Sequence, residues 1–412
     1  MDYNDAREYI NSLAPRGIVP GLTTVTRLLA MLGDPQERLR IIHIAGTNGK
    51  GSVGAFIAST LQAADNTVCR FATPAVGDYL EAFSINGAPI SGKLYSSATE
   101  RVKAAITQLE KENIFPTSFE AECAIAFLAF SESAPDFALI ECGMGGLLDA
   151  TNAIKKPALS VITSISRDHT RFLGNTIREI AENKAGIIKD GIPVISARQS
   201  EAAEAVIRQT ANEHNAPLYI ADEPRDIKYN TDCTEFICGN EKYIIKLLGA
   251  YQPHNAALAI TAAKVLGIDE KYIKQGLADT VWQYRFERIG RYVLDGTHNE
   301  DAARWLAASL EKYTTPAETA FICGCFRDKN YGKIAEITAP YASAVYCVTA
   351  PTERGLGCDA LRDTFRCCGI NAFASGTMAD AIKEAGSKDY KNIIIFGSLS
   401  ILYEARKIIE GT

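Results

Sequence analysis

The sequence predicts an α/β protein of two domains, and three observations carry that prediction. The chain has 412 residues, more than one ordinary hydrophobic core organises, so two domains are expected. Short apolar runs alternate with helix-like stretches over most of its length, the pattern of a mostly parallel sheet. That alternation restarts beyond residue 285, which sets domains at 1–281 and 286–412.

The elements follow in order. "RLRIIHIA" ends in an apolar strand, then a glycine loop, then "SVGAFIASTLQAA" with helical spacing. "TVCRFA" is a second strand running into Thr73 and Pro74, and "PDFALIE" is a third, ending at Glu141. "ALSVITSI" and "GIPVIS" are the fourth and fifth, the fourth followed by "SRDHT". Ligands of open α/β sheets bind beyond the carboxyl ends of the strands, where this order places the glycine loop, Thr73, Glu141 and His169. Residues 226–249 change to period-two alternation around "CGNEK", a hairpin at the edge of the first domain. "NAALAITAAKVLG" is helical, and "DTVWQYRFERIG" reads as a linker. "RYVLDG", "TAFICGCF", "ASAVYCVTA" and "NIIIFGS" are the strands of the second domain, with a cleft expected between the two.

Composition excludes several classes. Hydrophobic residues at 47% and charged residues at 22% are ordinary for a globular chain. A net charge of −6 leaves no basic footprint for nucleic acid. No apolar run approaches the roughly 18 residues of a membrane helix. The N-terminus carries acids where a signal peptide carries bases, so a cytoplasmic protein without membrane partners is expected. The 11 cysteines are expected to be free thiols. Cys142, Cys323, Cys325 and Cys347 lie in or beside apolar runs, and the spacings lack the C-x-x-C of a zinc site.

The most informative stretch is "HIAGTNGKGS", residues 43–52. It resembles a phosphate loop but departs from G-x-x-x-x-G-K-[ST], because Gly51 separates Lys50 from Ser52. Glycine N–H groups, a helix N-terminus and a lysine make an anion site; a bare strand-to-helix turn is the alternative. Glu141 and His169 on neighbouring strand ends suit a shared divalent cation, Mg2+ or Mn2+, with Asp168 beside the ring. A buried histidine and a helix-capping glutamate are the other reading. Lys184 in "NKAGIIK" reads by default as solvated. "DGTHN" places Asp295 and His298 past a strand end, where an Asx turn and a helix cap fit equally well.

Taken together, "HIAGTNGKGSV", "ECGMGGLLDATN", "SVITSISRDHTRFLGNTIREIAENKAGIIK", "YQPHNAALA", "RFERI" and "LDGTHNEDAARWL" resemble, in order and spacing, the folylpolyglutamate synthases. These include the bifunctional dihydrofolate synthases and belong to the Mur ligase superfamily. The resemblance implies a Mur-ligase-like ATPase domain with a mostly parallel sheet and a smaller Rossmann-like C-terminal domain. It implies ATP-dependent addition of L-glutamate to a folate or dihydropteroate carboxylate through an acyl phosphate. By it, Gly46, Thr47, Asn48, Gly49, Lys50, Gly51 and Ser52 hold ATP phosphates, with Asn255, Arg285 and Asp295 contacting the nucleotide. Thr73, Glu141 and His169 are implied metal ligands, and Lys184 a carbamylated lysine that joins them. Lys50, Lys184 and His298 are the expected catalytic groups. Phe119, Glu120, Asp149 and Thr151 are expected on the acceptor side, in a protein that works as a monomer.

The pattern departs from that family around the acceptor. "ATPAVGDYLEAFSING" has Ala75 and Ala82, and "GGLLDATN" has Leu147 where an arginine is usual. Each change removes a partner for an anionic substrate. Two other functions therefore stay open: the same ligase chemistry on a non-folate carboxylate, and an inactive nucleotide-binding regulator.

Overall fold

The computed structural model describes residues 1–411, which form two compact units. The first comprises Met1–Glu223 with Asn255–Leu277, and the second Pro224–His254 with Ala278–Thr412.

The first unit is built on eight strands: β1 (Ile41–Ala45), β2 (Val68–Phe71), β3 (Phe83–Ile85), β4 (Ala88–Pro89), β5 (Phe137–Glu141), β6 (Leu159–Ile162), β7 (Val194–Ser196) and β8 (Leu218–Ile220). Their order is β4-β3-β2-β5-β1-β6-β7-β8, all parallel except β3, which runs against its neighbours β2 and β4. β1 is central and buried at every position, which is why it reads as an unbroken apolar run. Its register sets the site. Ile44 lies opposite Glu141 of β5, and Ala45 opposite Ile162 of β6, so three strands end level. The loops that leave them start side by side.

One hydrophobic cluster joins this sheet to the helices Tyr3–Ser12, Thr23–Met31, Gly92–Lys111 and Ser118–Ser133. The last of these is buried at every position from Cys123 to Phe130, an apolar run rather than a stripe. Burying Phe127 and Phe130 contributes roughly 1.5–3 kcal/mol each. A second cluster joins Ala45, Ile162 and Val194 to the helices Ile177–Ala185 and Glu201–Glu213.

The second unit holds two sheets. β9 (Arg225–Tyr229), β10 (Thr234–Cys238) and β11 (Glu241–Ile245) form an antiparallel meander in the order β11-β10-β9. β12 (Glu287–Ile289), β13 (Tyr292–Leu294), β14 (Thr319–Cys323), β15 (Ala344–Cys347), β16 (Asn371–Ala374) and β17 (Asn392–Phe396) make a six-stranded sheet in the order β12-β13-β17-β14-β15-β16. Only the β12–β13 hairpin there is antiparallel.

The meander differs from the sequence expectation twice. It has three strands, not two, and it packs with residues 278–412 rather than with the first unit. The reason is Tyr313, at the end of the helix Glu300–Tyr313. Its ring meets Tyr229 edge-on at 5.8 Å, and its hydroxyl lies 3.2 Å from Thr234 Oγ1. The Ala250 N–H also donates to Ser309 of that helix. Adjacency along the chain gives no hint of these contacts.

Among the described residues all 11 cysteines are free, with Cys142, Cys323, Cys325 and Cys347 buried. Among the described residues no helix is long and apolar enough to cross a membrane.

Candidate active site

The glycine loop leaves β1 and enters the helix Lys50–Ala63 through a positive-φ residue, Gly49 (φ 89°). No side chain caps this helix, the arrangement that suits a helix N-terminus to an anion. Gly46 is there for space as well as conformation: a Cβ would lie 1.7 Å from Thr163 Oγ1. The loop is braced by the segment Thr163–Ser166, just beyond β6. Thr47 N donates to Ser164 O, Thr47 Oγ1 donates to Ser166 O, and Thr163 Oγ1 donates to Asn48 O. Asn255 stands against Gly49, where a Cβ would approach its Oδ1 to 2.6 Å. The sequence-predicted phosphate residues are thus one rigid, uncapped, glycine-lined turn.

Two lysines converge on that turn. Lys50 Nζ donates to the carbonyls of Gly46 and Thr47 at 3.1 and 3.2 Å. Lys184, on the helix Ile177–Ala185, donates to Gly46 O at 2.8 Å. It is only 3% exposed, so the reading of a solvated lysine does not hold. Burial, and then the nearby Lys50 charge, bring its pKa down to about 7. A large share of this amine is therefore neutral and nucleophilic near neutral pH.

The expected metal ligands are arranged less simply. Glu141 ends β5 and is 3% exposed, but its Oε1 accepts from Arg70 Nη2 at 2.7 Å. Thr73 lies just past β2, beside the cis Thr73–Pro74 bond. His169 is exposed, in a left-handed conformation ahead of the short helix Thr170–Leu173. Among the described residues no three His, Cys, Asp or Glu side chains gather into a metal cage. Glu141 is paired within the protein, and its partner is an arginine that the sequence motifs do not single out. Its only signal is a charged residue inside an apolar strand. Mg2+ keeps several waters and takes phosphate oxygens, so one hard carboxylate is a sufficient protein anchor, and Glu141 fits that chemistry.

The acceptor-side candidates are engaged with the protein. Glu120 closes a capping box, accepting from Thr117 N at 2.7 Å and Thr117 Oγ1 at 2.9 Å. Asp149 is buried and accepts from Met144 N, Thr151 N and Thr151 Oγ1, which folds the "GMGGLLD" loop back on itself. Thr151 Oγ1 lies 2.9 Å from His43 Nε2, which is 3.2 Å from Cys142 Sγ. Burial drives His43 down to about 3 and Cys142 far up, so this is a neutral hydrogen-bonded network, not a thiolate–imidazolium pair. Phe119 alone presents a ring: a Cβ on Gly143 would lie 2.5 Å from it.

In the second unit, Asp295 lies just past β13 and is 2% exposed. It accepts from Thr297 N and Oγ1, Phe286 N and Tyr251 OH. The Asx turn expected as an alternative is present, and Asn299 caps the next helix. His298 Nδ1 donates to Gly296 O at 2.8 Å. Arg285 stands between two positive-φ residues, Tyr284 and Phe286, and packs on Gly296, where a Cβ would lie 2.1 Å from its Nη1.

The chain is similar to known proteins over nearly its whole length. The Mur ligase middle domain matches residues 44–263, and the Mur ligase glutamate ligase domain matches residues 284–399. The chain is 35% identical over 435 residues to the dihydrofolate synthase/folylpolyglutamate synthase of Bacillus subtilis, covering 99% of each protein. It is 32% identical to the folylpolyglutamate synthase of Lacticaseibacillus casei, covering 100% of this chain and 99% of that one. The folylpolyglutamate synthase of Mycobacterium tuberculosis, solved with ADP and AMPPCP, superposes with a TM-score of 0.91 at 27% identity, over 100% of this chain and 99% of that one.

Proposed function

This chain belongs to the folylpolyglutamate and dihydrofolate synthase branch of the Mur ligases, which are ATP-dependent amide ligases, and on that premise we propose that it joins L-glutamate to the carboxylate of dihydropteroate or a folate. The observation that carries the reading is the uncapped turn at 46–52 with two lysines on one carbonyl.

A carboxylate resists amines because its leaving group would be oxide. ATP solves this: a carboxylate oxygen attacks the γ-phosphorus, ADP leaves, and an acyl phosphate forms. The glutamate amine then adds to the carbonyl carbon, and phosphate departs with one former carboxylate oxygen. The protein contributes alignment and neutralisation of phosphoryl charge. The N–H groups of residues 49–52 and the Lys50 ammonium would perform both. A Mg2+ ion, anchored by Glu141 and completed by Thr73 and His169, would supply further charge neutralisation when bound. Lys184 would be carbamylated: its neutral amine attacks CO2, losing a proton and becoming an anion. Arg285, Asp295 and His298 are proposed to serve the nucleotide, Asp295 by holding its loop. Phe119 would stack on the acceptor, with Asp149 and Thr151 shaping the loop beneath it. Eleven free thiols support a reducing, cytoplasmic setting.

One observation favours a second acceptor class. Leu147, where the family usually carries arginine, is 47% exposed and offers no charge to an anionic substrate. The test is ADP release with L-glutamate and a panel of dihydropteroate, tetrahydrofolate and unrelated carboxylic acids. Glutamate-dependent turnover on the pterin acids alone supports the folate reading, and turnover only on another acid overturns it.

A further inference from the structure

Arg70 has no place in the chemistry above, yet it is built firmly into the site. It lies on β2, its side chain 7% exposed against 4% for Glu141. One nitrogen, Nη2, donates both to Glu141 Oε1 at 2.7 Å and to the Gly51 carbonyl at 2.6 Å. That carbonyl belongs to the first turn of the helix that opens the phosphate loop. The room is made by Gly54: a Cβ there would approach Nη2 to 3.0 Å. Three elements, β2, β5 and the phosphate-loop helix, are thus tied through one guanidinium.

A buried carboxylate without a counter-charge is costly, and breaking such a pair leaves an uncompensated charge behind. Arginine also presents its charge in a fixed fork and does not deprotonate, so it is a permanent partner rather than a titrating one. A divalent cation at Glu141 must share that carboxylate with a fixed positive charge one hydrogen bond away, and the repulsion weakens the cation's binding.

We propose that Arg70 is the resident counter-charge of Glu141: it holds the carboxylate and the phosphate-loop helix in register while no metal is bound, and it sets how much divalent cation the site requires. Arg70 is a positioning residue in this scheme, acting through Glu141 and the phosphate-loop helix. The proposal rests on Glu141 as a metal anchor, as argued above.

The test is Mn2+ binding, read as free ion by electron paramagnetic resonance with ADP present, together with thermal unfolding with and without Mn2+. Removing the charge in Arg70→Met leaves Glu141 in want of a cation. The apo variant should melt below wild type, Mn2+ should bind about tenfold tighter or more, and Mn2+ should restore more of the melting temperature than it adds to wild type. Arg70→Gln, which keeps a donor but no charge, carries the same expectation, so failure of Arg70→Met to fold leaves the idea exposed. Arg70→Lys should bind Mn2+ as wild type does. Unchanged or weaker Mn2+ affinity in the neutral variants overturns the proposal. Glu141→Gln separates the two claims. If it binds Mn2+ like wild type, the metal role of Glu141 is wrong; if it loses Mn2+ while the Arg70 variants are unaltered, only the counter-charge role falls.

Discussion

Lys50 and Lys184, far apart in sequence, donate to the same acceptor, the Gly46 carbonyl oxygen, at 3.1 and 2.8 Å. Burial disfavours a charge on Lys184, and the Lys50 ammonium beside it disfavours that charge further. The arrangement is costly unless anions arrive: phosphoryl oxygens for Lys50, and a carbamate on Lys184 itself.

Lys184→Ala should therefore lose nearly all ligase activity and recover part of it in a short carboxylic acid such as acetate. The acid would stand in for the carbamate in the space the side chain vacates. Mass spectrometry at native pH should show the wild type heavier by one CO2. An active enzyme with an unmodified Lys184 contradicts the modification.

Gly46→Ala should abolish ATP binding and lower stability. Its Cβ would collide with Thr163 Oγ1, and the positive φ of 153° adds strain of about 1–3 kcal/mol. Nucleotide binding by fluorescence and urea unfolding both report it. Gly332→Ala, where the added carbon meets nothing and φ is not positive, keeps ATP binding and serves as the control.

Asp295 and His298, neighbours in one short loop, should respond differently. Asp295→Ala strands several buried donors, at about 1–3 kcal/mol each, and should destabilise the protein measurably. His298→Ala removes the ring bond to Gly296 O and should make little product. Normal turnover in His298→Ala ends its catalytic assignment.

Acid should expose the buried imidazole. The folded pKa of His43 is lowered to about 3 from 6.5, so the unfolded chain binds the extra proton between those values. Its contribution is intact above pH 6.5 and is lost as pH falls towards 3. At pH 5 the loss relative to pH 7 is about 2 kcal/mol. His43→Met lacks this dependence, so the difference in unfolding free energy, wild type minus variant, should fall between about pH 7 and pH 5. A constant difference contradicts a neutral, buried His43.

Local signals are readable in the sequence, and distant ones are hidden. The phosphate loop is legible because its function needs contiguous residues: a strand, glycines, a lysine and a helix start. The strands β1, β5, β6, β14, β15 and β17 are legible because burial makes each a short apolar run. The two helices ahead of β1, and the short strands β3, β4, β8, β12 and β16, carry weak or mixed patterns. The Arg70–Glu141 pair spans 71 positions, and no spacing rule joins them. Glu120 is a polar residue in a promising place, but Thr117 three positions earlier is the capping-box signature that explains it. Residues 224–254 join the second unit through Tyr313, a contact between segments remote in sequence.

The acyl phosphate is the centre of this account, and oxygen labelling tests it most directly. The acceptor acid is prepared with 18O in its carboxylate and turned over with ATP and L-glutamate. The account predicts one 18O in the inorganic phosphate released for each amide formed, with ADP as the nucleotide product. Unlabelled phosphate, or label appearing in AMP, would contradict it.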